Sequence, residues 1–305
     1  MNEYNKKSGI VCIVGRPSTG KSSLINQICG EKISIVTPHP QTTRHKIPGI
    51  YNDNDSQIIF MDTPGFHQFS HSLNQKLSKI SLQSLQDTDL ILYLVDISRI
   101  FGKEEEILVT ELIKFQDKLL LVFNKTDLIN KMTDSNTDKI ENIENVRIIK
   151  EKLNPKHCLF ISVLKNDGIP ELIQTIKERL DFGPVYYPDD YYTDQPIAFR
   201  IKEIIRERIM LYTKEEIPHA IYIDIIKMEV EESFIRCNAV IFVERESQKG
   251  IVIGKSGKLI KKIGIESRSE LSRIFERSVD LFLKVKVNYK WRRNEKLLKK
   301  MFDFE

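Results

Sequence analysis

The sequence predicts an α/β domain with a doubly wound, mostly parallel sheet, followed by a smaller α+β domain. Strand-length apolar runs alternate with helical stretches as far as residue 180, which is the pattern of a parallel sheet covered by helices. Residues 181–196, rich in proline, tyrosine and aspartate, interrupt this alternation and are typical of a stiff linker. After them, one helix precedes two β-rich runs, two helical stretches and a last strand. We therefore expect domains at 1–180 and 197–305, joined by the linker 181–196.

The strands of the first domain are predicted from short, continuous apolar runs, and helices from apolar residues spaced three and four apart. Residues 47–53 reach residue 57 across a tight Asn54-Asp55 turn, so they are predicted to form one antiparallel edge strand. The predicted buried strands are 10–14, 57–62, 89–96, 118–124 and 157–162, and the predicted helices are 22–29, 73–86, 104–115, 138–153 and 169–180.

The second domain is predicted to follow the order α-β-β-α-α-β. A helix at 197–212 precedes β-rich runs at 220–230 and 235–244, and a strand at 280–288 precedes a basic final helix. Two sets of aromatic residues have two interpretations each, packing within the protein or stacking on nucleic-acid bases. They are the linker tyrosines 186, 187, 191 and 192, and the pair Tyr289 and Trp291.

Composition and charge limit the possible functions. The chain has 305 residues, of which 41% are hydrophobic and 30% charged, as is typical of a soluble protein with two cores. The net charge is only +4, but residues 245–305 hold 17 Lys and Arg against 8 Asp and Glu, whereas residues 1–244 hold 30 against 35. A basic C-terminal part indicates a polyanionic partner, with a solvated lysine face as the alternative.

Neither disulfides, zinc nor a membrane span is predicted. The four cysteines are scattered, and Cys12 and Cys158 lie within apolar runs, so we expect small buried hydrophobes in a reducing cytosol. The first eight residues are not followed by the apolar segment of a signal peptide, and the longest apolar runs have only the length of a strand. We expect a soluble, cytoplasmic protein.

A phosphate-binding loop follows the first predicted strand. Residues 15–22 match GxxxxGK[ST], the pattern whose backbone N–H groups and following helix bind nucleotide phosphates. Lys21 is expected to reach the β- and γ-phosphates, and Ser22 to bind Mg²⁺. Asp62, at the end of a strand, and Thr43, in the intervening loop, are the other predicted Mg²⁺ ligands, while the N–H of Gly65 is expected to meet the γ-phosphate. Lys21, Thr43 and Gly65 are therefore the candidate catalytic residues.

Two further strand ends predict specificity for guanine. Asp127 can accept hydrogen bonds from N1–H and the 2-amino group of guanine, and adenine lacks both donors. Val163 can offer a backbone N–H to the guanine O6. The predicted nucleotide contacts are Gly15, Arg16, Pro17, Ser18, Thr19, Gly20, Lys21, Ser22, Ser23, Asp62, Thr63, Pro64, Gly65, Phe66, Asn124, Lys125, Asp127, Ser162 and Val163.

A second glycine loop lies in the basic part of the chain. Gly254 and Gly257 enclose two polar residues in the GxxG pattern that clamps the backbone of single-stranded RNA. The alternative is a helix–helix turn in a core, which explains the flanking isoleucines but not the lysines. The predicted RNA contacts are Ile253, Gly254, Lys255, Ser256, Gly257, Lys258 and Lys261, and Lys284, Lys286, Lys290, Arg292 and Arg293 are expected to widen the surface.

Taken together, these motifs resemble those of the bacterial Era GTPases, in the TrmE–Era group of translation-factor-related GTPases. The resemblance covers essentially the whole chain and is carried by GRPSTGKSSLINQICG, PQTTRH, DTPG, NKTD and VERESQKGIVIGKSGKLIKKIGIESR. It implies a P-loop GTPase domain followed by a type II KH domain. It also implies GTP, GDP and Mg²⁺ as ligands, and a monomer that binds the single-stranded 3′ end of 16S ribosomal RNA during maturation of the 30S subunit. Loose contact with the inner face of the cell membrane is implied as well.

Two departures from the family pattern, and one difference from many other switch GTPases, affect the expected chemistry. Ser18 stands where the family usually has the asparagine associated with potassium-stimulated hydrolysis, and its shorter side chain argues against potassium activation. Val163 replaces a usual alanine but keeps the backbone N–H. Phe66 follows Gly65 where many switch GTPases place a glutamine that orients water, and His67, His71 and Arg44 are weak substitutes, so we expect slow hydrolysis unless a partner completes the site.

Three functional hypotheses follow. The leading one is a slow GTP-operated switch that binds ribosomal RNA. The second is an RNA-binding adaptor with a bound, structural guanine nucleotide. The third, a membrane or stress-signalling GTPase, predicts lipid binding.

Overall fold

In a computed structural model, residues 5–40, 42–66, 84–131, 143–289 and 291–293 are described. The chain divides into two compact units. The first comprises Met1–Ser34 and Pro40–Asp194, and the second Ile35–His39 and Gln195–Glu305. Most of the predicted linker is therefore counted with the first unit, and a short segment ahead of Thr43 is counted with the second.

The first unit is built on a seven-stranded sheet with the order β2-β3-β1-β4-β5-β6, and β7 pairs with the start of β1. All pairs along this path are parallel except β2 with β3, which form the predicted antiparallel edge. The strands are β1 (Lys6–Val14), β2 (Ile47–Asn52), β3 (Ser56–Asp62), β4 (Leu90–Asp96), β5 (Leu119–Asn124), β6 (Cys158–Phe160) and β7 (Phe182–Gly183).

Helices flank this sheet in the described part of the chain. They are α1 (Lys21–Cys29), α2 (Lys103–Leu112), α3 (Glu144–Leu153) and α4 (Ile169–Arg179), with 3₁₀ helices at Ile113–Lys118 and Thr126–Lys131. The predicted helix 104–115 thus ends early and tightens into a 3₁₀ turn, where Phe115 leaves helical geometry. The helix predicted at 73–86 and the first part of 138–153 lie mostly outside the described residues.

The parallel strands determine where a ligand can bind. The carboxyl ends of parallel strands meet at one edge of a sheet, which is where open α/β sheets bind ligands. Here β1 leads into residues 15–22, β3 ends at Asp62, β5 ends at Asn124, and Ser162 follows β6. All the loops of the predicted nucleotide site therefore emerge at the same edge.

The second unit has a three-stranded sheet of order β10-β9-β8, with one parallel and one antiparallel pair. Its elements are α5 (Ile197–Tyr212), α6 (Ile217–Ala220), β8 (Tyr222–Val230), β9 (Phe234–Val243), α7 (Glu246–Ile253), α8 (Lys258–Phe275) and β10 (Ser278–Val287), with 3₁₀ turns at Lys255–Gly257 and Trp291–Arg293. Apart from the short α6, this is the predicted α-β-β-α-α-β order. The predicted fold class is confirmed.

Each unit has a hydrophobic core of its own. In the first unit, β1, β4 and β5 pack against α2 and α3. In the second, the inner faces of β8, β9 and β10 pack against α5 and α8, and Ile35 is buried in the same cluster. Among the described residues, no helix combines the length and apolar character needed to cross a membrane.

Candidate nucleotide and RNA sites

Residues 15–22, here called the nucleotide loop, pass so close to neighbouring backbone that two positions require glycine. A Cβ on Gly15 would lie 2.3 Å from the carbonyl oxygen of Leu94. At Gly20, where φ is 104°, a Cβ would lie 2.4 Å from Nδ2 of Asn124. Any other side chain would push the loop away from β4 and β5, which anchor it.

The carbonyl oxygens of the nucleotide loop are held by side-chain donors. Lys21 Nζ donates to the carbonyls of Gly15 (3.1 Å) and Arg16 (2.9 Å). The carbonyls of the next three residues accept from Arg99 (3.0 Å), Lys125 (2.8 Å) and Asn124 (2.8 Å), in chain order. A loop whose carbonyls are engaged in this way can present its N–H groups to an anion. Burial lowers the pKa of Lys21 to about 8, although Asp62 opposes the shift.

Three oxygen-bearing side chains converge at the end of the nucleotide loop. Ser22 Oγ lies 2.9 Å from Thr43 Oγ1 and donates to Asp62 Oδ2 at 2.7 Å, and Thr43 Oγ1 donates to the same oxygen at 3.2 Å. Asp62 Oδ1 is buried without a hydrogen-bond partner among the described atoms, and burial raises the pKa of this carboxyl group. An orphaned carboxylate oxygen beside two hydroxyls suits a hard cation such as Mg²⁺. The predicted ligands therefore fit the metal.

The predicted guanine loops also lie together. Ser162 Oγ donates to Asp127 Oδ1 at 2.5 Å, which fixes the orientation of this carboxylate. Asn124 links the predicted guanine loops to the nucleotide loop. Its Nδ2 donates to the Thr19 carbonyl, and its Oδ1 accepts from the Val163 N–H at 3.1 Å. The predicted base and phosphate subsites are thus linked by hydrogen bonds through Asn124.

The loop after β3 approaches the nucleotide loop through its backbone. A Cβ on Gly65 would lie 2.8 Å from the Cα of Pro17, so only glycine allows this approach. Phe66 donates its N–H to the Gly15 carbonyl at 3.1 Å, while its ring is 1% exposed in the hydrophobic core. Arg44, a candidate for a catalytic arginine, is buried as well. His67, His71 and Gln41 lie outside the described residues.

The second glycine loop, residues 254–257, forms a tight turn between α7 and α8. Gly254 (φ 73°), Ser256 (φ 52°) and Gly257 (φ 75°) all have left-handed backbones, and a Cβ on Gly254 would lie 2.6 Å from Leu259 Cβ. Three lysines and the serine at this turn are exposed, whereas Ile263 is fully buried beneath it. The turn therefore exposes charged side chains next to a buried apolar residue. The exposed residues are Lys255, Ser256, Lys258 and Lys261.

Comparisons with known proteins agree with this geometry. Residues 10–125 match a family described as 50S ribosome-binding GTPase, and residues 216–292 match the KH domain family. The chain is 44% identical over 298 residues to the GTPase Era of Borreliella burgdorferi, covering 97% of this chain and all of that protein. It is also 44% identical to the GTPase Era of Treponema denticola, over 96% of this chain and 99% of the relative. This chain belongs to the Era family of GTPases.

Solved Era structures match the chain over nearly its whole length. A single-substitution variant of Era from Aquifex aeolicus, bound to GDP and AlF4⁻, superposes with a TM-score of 0.89 at 34% identity, covering 96% of this chain and 98% of that one. An Era complex with MgGDPNP and nucleotides 1506–1542 of 16S ribosomal RNA gives a TM-score of 0.88 at the same identity and coverage. As an Era GTPase the protein hydrolyses GTP, so the alternative of a purely structural nucleotide is set aside.

The structure shows how three of these aromatic residues pack. Trp291 is fully buried, donates from Nε1 to the Ala220 carbonyl at 2.9 Å and packs 4.9 Å from the Tyr222 ring, so it packs within its own unit. Tyr289 is 71% exposed. In the linker, Tyr187 and Tyr191 stack on each other with ring centroids 6.4 Å apart. Lys290, the side chain of Arg293 and the predicted final helix beyond it lie outside the described residues.

Sequence reasoning missed a group of charged residues beside the nucleotide loop. Asp96 ends β4, and Arg99, Glu104 and Glu105 follow it. None of the four matches a nucleotide-binding motif, yet they contact Arg16, Pro17 and Lys125. The available signal was weak, since it consisted of an aspartate ending a buried strand and three glutamates in the first turn of a helix.

Proposed function

We propose that this Era GTPase uses GTP to control its affinity for the single-stranded 3′ end of small-subunit ribosomal RNA, and that it thereby assists assembly of the 30S subunit. The observation that carries the proposal is the presence of two complete sites in one chain, an oxygen- and amide-rich nucleotide site at a sheet edge and a lysine-bearing glycine turn in the other unit. The complex of another Era with 16S ribosomal RNA supports the choice of RNA.

In this proposal the first unit binds GTP through two groups of residues. The N–H groups of the nucleotide loop and the ammonium of Lys21 bind the phosphates, as a glycine-rich loop before a helix does. Asp127, oriented by Ser162, accepts from the guanine ring. An adenine would leave that carboxylate unpaired, which costs several kcal/mol in a buried site.

Mg²⁺ would be held by Ser22, Thr43 and Asp62 together with oxygens of the nucleotide. When bound, it neutralises charge that develops on the phosphates during hydrolysis. The chain's own contribution is to orient the two hydroxyls, which already point to one carboxylate oxygen. Thr43 lies on the loop ahead of β2, so the presence of a γ-phosphate can be sensed by the position of this loop.

Hydrolysis is expected to be slow in the isolated protein. Phe66 occupies the position of a water-orienting glutamine, and its ring is in the core and has no hydrogen-bonding atom. Unassisted switch GTPases hydrolyse GTP at about 10⁻⁴ to 10⁻² per second. We expect a rate in this range, and a faster one when an assembling particle supplies the missing group.

The RNA contact is proposed at residues 253–261. Gly254 and Gly257 allow close approach of phosphates, and Lys255, Lys258 and Lys261 supply positive charge around them. Lys284 and Lys286 on β10 are exposed in the same unit and would extend the basic surface. Such contacts release counterions, so binding must weaken as salt rises.

The RNA assignment is tested with a labelled RNA carrying the 3′ tail of 16S ribosomal RNA and the double variant Lys255→Ala, Lys258→Ala. The variant should bind more weakly, and the slope of log affinity against log salt should become less steep by about 1.4, because each lost phosphate contact on a single strand removes about 0.7. The matched control is Lys103→Ala, an exposed lysine of the first unit, and it should bind like wild type. Unchanged affinity and slope in the double variant would contradict the assignment.

Monomeric state and peripheral membrane contact rest on the family resemblance alone. Light scattering of the purified protein tests the first. For the second, flotation with anionic vesicles should carry the protein upward in low salt, whereas recovery only in the bottom fractions would remove membrane contact from the proposal.

A further inference from the structure

The nucleotide loop is held from outside by four charged residues at and after the end of β4, here called the outer clamp: Asp96, Arg99, Glu104 and Glu105. Two of them, Glu104 and Glu105, form ion pairs with Arg16. Its Nε donates to Glu104 at 2.6 Å and its Nη1 donates to Glu105 at 2.7 Å. The Glu105 side chain is only 3% exposed and that of Arg16 is 21% exposed, and burial raises the pKa of Glu105.

The other two residues hold the next part of the loop. Arg99 Nη1 donates to the Pro17 carbonyl at 3.0 Å, and its Nε lies 3.4 Å from Asp96. Asp96 is 3% exposed and also binds Lys125 at 2.6 Å, and Lys125 donates to the Ser18 carbonyl. Asp96 thus fixes two cations that each hold one carbonyl of the loop.

These pairs are poorly explained by fold stability alone. Buried ion pairs contribute little net stability, because the desolvation of both charges offsets their attraction. Here they meet at one place, the outer side of a loop whose inner side must match phosphate oxygens. Binding geometry of that kind has to be held within about 0.5 Å, and it depends on residues that fix the ones in contact with ligand.

We propose that Glu105 and Arg99 are positioning residues for GTP binding, acting through Arg16 and Pro17 to hold the nucleotide loop in its phosphate-binding shape. This rests on the proposed role of the loop as the phosphate site. In this proposal both residues act on the loop and not on the nucleotide itself. Loss of either lets residues 16–18 move, so bound nucleotide dissociates faster. Ground state and transition state are both bound through this loop, so KM rises while kcat changes little.

The test measures the dissociation rate and Kd of a fluorescent GDP, together with KM and kcat for GTP, in Glu105→Gln, Glu105→Ala and Arg99→Ala. We expect Kd and KM to rise about tenfold or more, with kcat within about twofold of wild type. Arg99→Lys keeps the charge and one donor, so it should recover part of the affinity. The matched control is Glu106→Gln, an exposed glutamate on the same helix, which should behave like wild type.

A double-mutant cycle separates positioning from a general effect on the fold. If Glu105 acts through Arg16, the variant Arg16→Ala, Glu105→Ala should lose no more affinity than Arg16→Ala alone. Additive losses would overturn the proposal, as would a lower melting temperature with unchanged Kd. Glu105→Gln preserves side-chain size and serves in the cycle if the alanine variant does not fold.

Lys21→Ala distinguishes failure of this inference from failure of the proposed site. If Lys21→Ala keeps wild-type affinity, the nucleotide loop is not the phosphate site. If Lys21→Ala loses affinity while Glu105→Gln and Arg99→Ala keep it, the loop is the phosphate site and only the outer clamp is wrong.

Discussion

Ser18 combines a departure from the family pattern with an unusual backbone. Its φ of 64° lies in the left-handed region, which glycine and asparagine adopt more readily than serine. Its carbonyl is held by Lys125, so the loop keeps this conformation despite the cost. An asparagine at this position would suit the backbone better, and its side chain is longer.

Potassium should have little effect on the wild-type enzyme. Ser18→Asn is expected to make hydrolysis faster in potassium chloride than in sodium chloride, because the longer side chain restores the oxygen at the family's position. Ser18→Gly is the matched control, since it relieves the backbone without supplying an oxygen, and it should remain insensitive. Strong potassium stimulation of the wild type would show that the serine hydroxyl or the backbone suffices.

Asp127 is expected to determine the specificity of the protein for guanine nucleotides. In Asp127→Asn, an amide replaces the carboxylate that accepts from guanine, so GTP affinity should fall about 100-fold or more. Xanthosine triphosphate, which carries a carbonyl where guanine has its amino group, should bind the variant better than the wild type. Ser162→Ala removes the orienting bond to Asp127 Oδ1, together with the bond that Ser162 Oγ accepts from the Lys165 N–H, and it should cost less. Equal affinity of wild type and Asp127→Asn for GTP would show that the guanine base does not contact Asp127.

At the scale of elements, β2 binds the linker as well as its neighbouring strand β3. The linker backbone runs along it, with the Ile50 N–H donating to the Tyr192 carbonyl at 2.9 Å and Thr193 Oγ1 donating to the Pro48 carbonyl at 2.8 Å. Gln57, fully buried on β3, accepts from the Tyr186 and Tyr187 N–H groups and donates to the Tyr187 carbonyl. The linker is thus fixed to the strand that follows Thr43.

Gln57→Ala should loosen this attachment. Its loss leaves the linker amides at 186 and 187 unpaired, which costs about 1–3 kcal/mol where they are shielded from water. We expect hydrogen exchange of residues 186–193 to become faster while GDP affinity stays constant. Gln174→Ala, an exposed glutamine on α4, is the control. Unchanged exchange in Gln57→Ala would mean that the backbone bonds to β2 alone fix the linker.

The turn between β2 and β3 should show a defined pH dependence. Burial would raise the pKa of Asp53, but bonds from Lys177, Ser56, Tyr51 and the Asp55 N–H together lower it to about 2. The folded-state pKa lies below the unfolded value of 3.8, so the carboxylate stabilises the fold above pH 4 and this contribution is lost as pH falls toward 2.

The variant Asp53→Asn tests this sign. Because solvent screens this partly exposed carboxylate, the free energy of unfolding of the first unit should fall by only about 1 kcal/mol at pH 7, and the difference from wild type should shrink by roughly half at pH 3. Urea unfolding followed by circular dichroism at both pH values measures it. A difference that grew with acidity would contradict the assigned contacts.

Features that depend on residues close together in the sequence could be predicted, whereas features that depend on tertiary contacts could not. The strands and the antiparallel edge were predictable, since buried runs such as Leu90–Asp96 have an unbroken apolar pattern. The nucleotide loop was predictable because its glycines are required by close approach. The outer clamp was not, because Arg16 and Glu105 are 89 residues apart and meet only through the packing of β1, β4 and α2. The burial of Phe66 and Trp291 likewise depends on tertiary neighbours.

At the scale of the whole molecule, the chain passes from the first unit into the second and back within a few residues. Ile35–His39 is counted with the second unit, where Ile35 lies in the core and the Val36 N–H donates to Glu207 at 3.0 Å. Thr43, with its hydroxyl beside Ser22, follows four residues after this segment. If Thr43 moves when GTP is hydrolysed, Ile35–His39 gives a short covalent path from it to the unit that carries the proposed RNA site, as nucleotide-controlled RNA binding requires.

The most direct test of this account is the affinity for the 3′ tail of 16S ribosomal RNA in three states of the wild-type protein, measured at one fixed salt concentration. The states are nucleotide-free, GDP-bound and bound to a non-hydrolysable GTP analogue. We predict at least tenfold tighter binding with the analogue than with GDP, which corresponds to a coupling of about 1.4 kcal/mol between the two sites. Equal affinity in all three states would contradict the switch and leave GTP hydrolysis and RNA binding as independent activities of one chain.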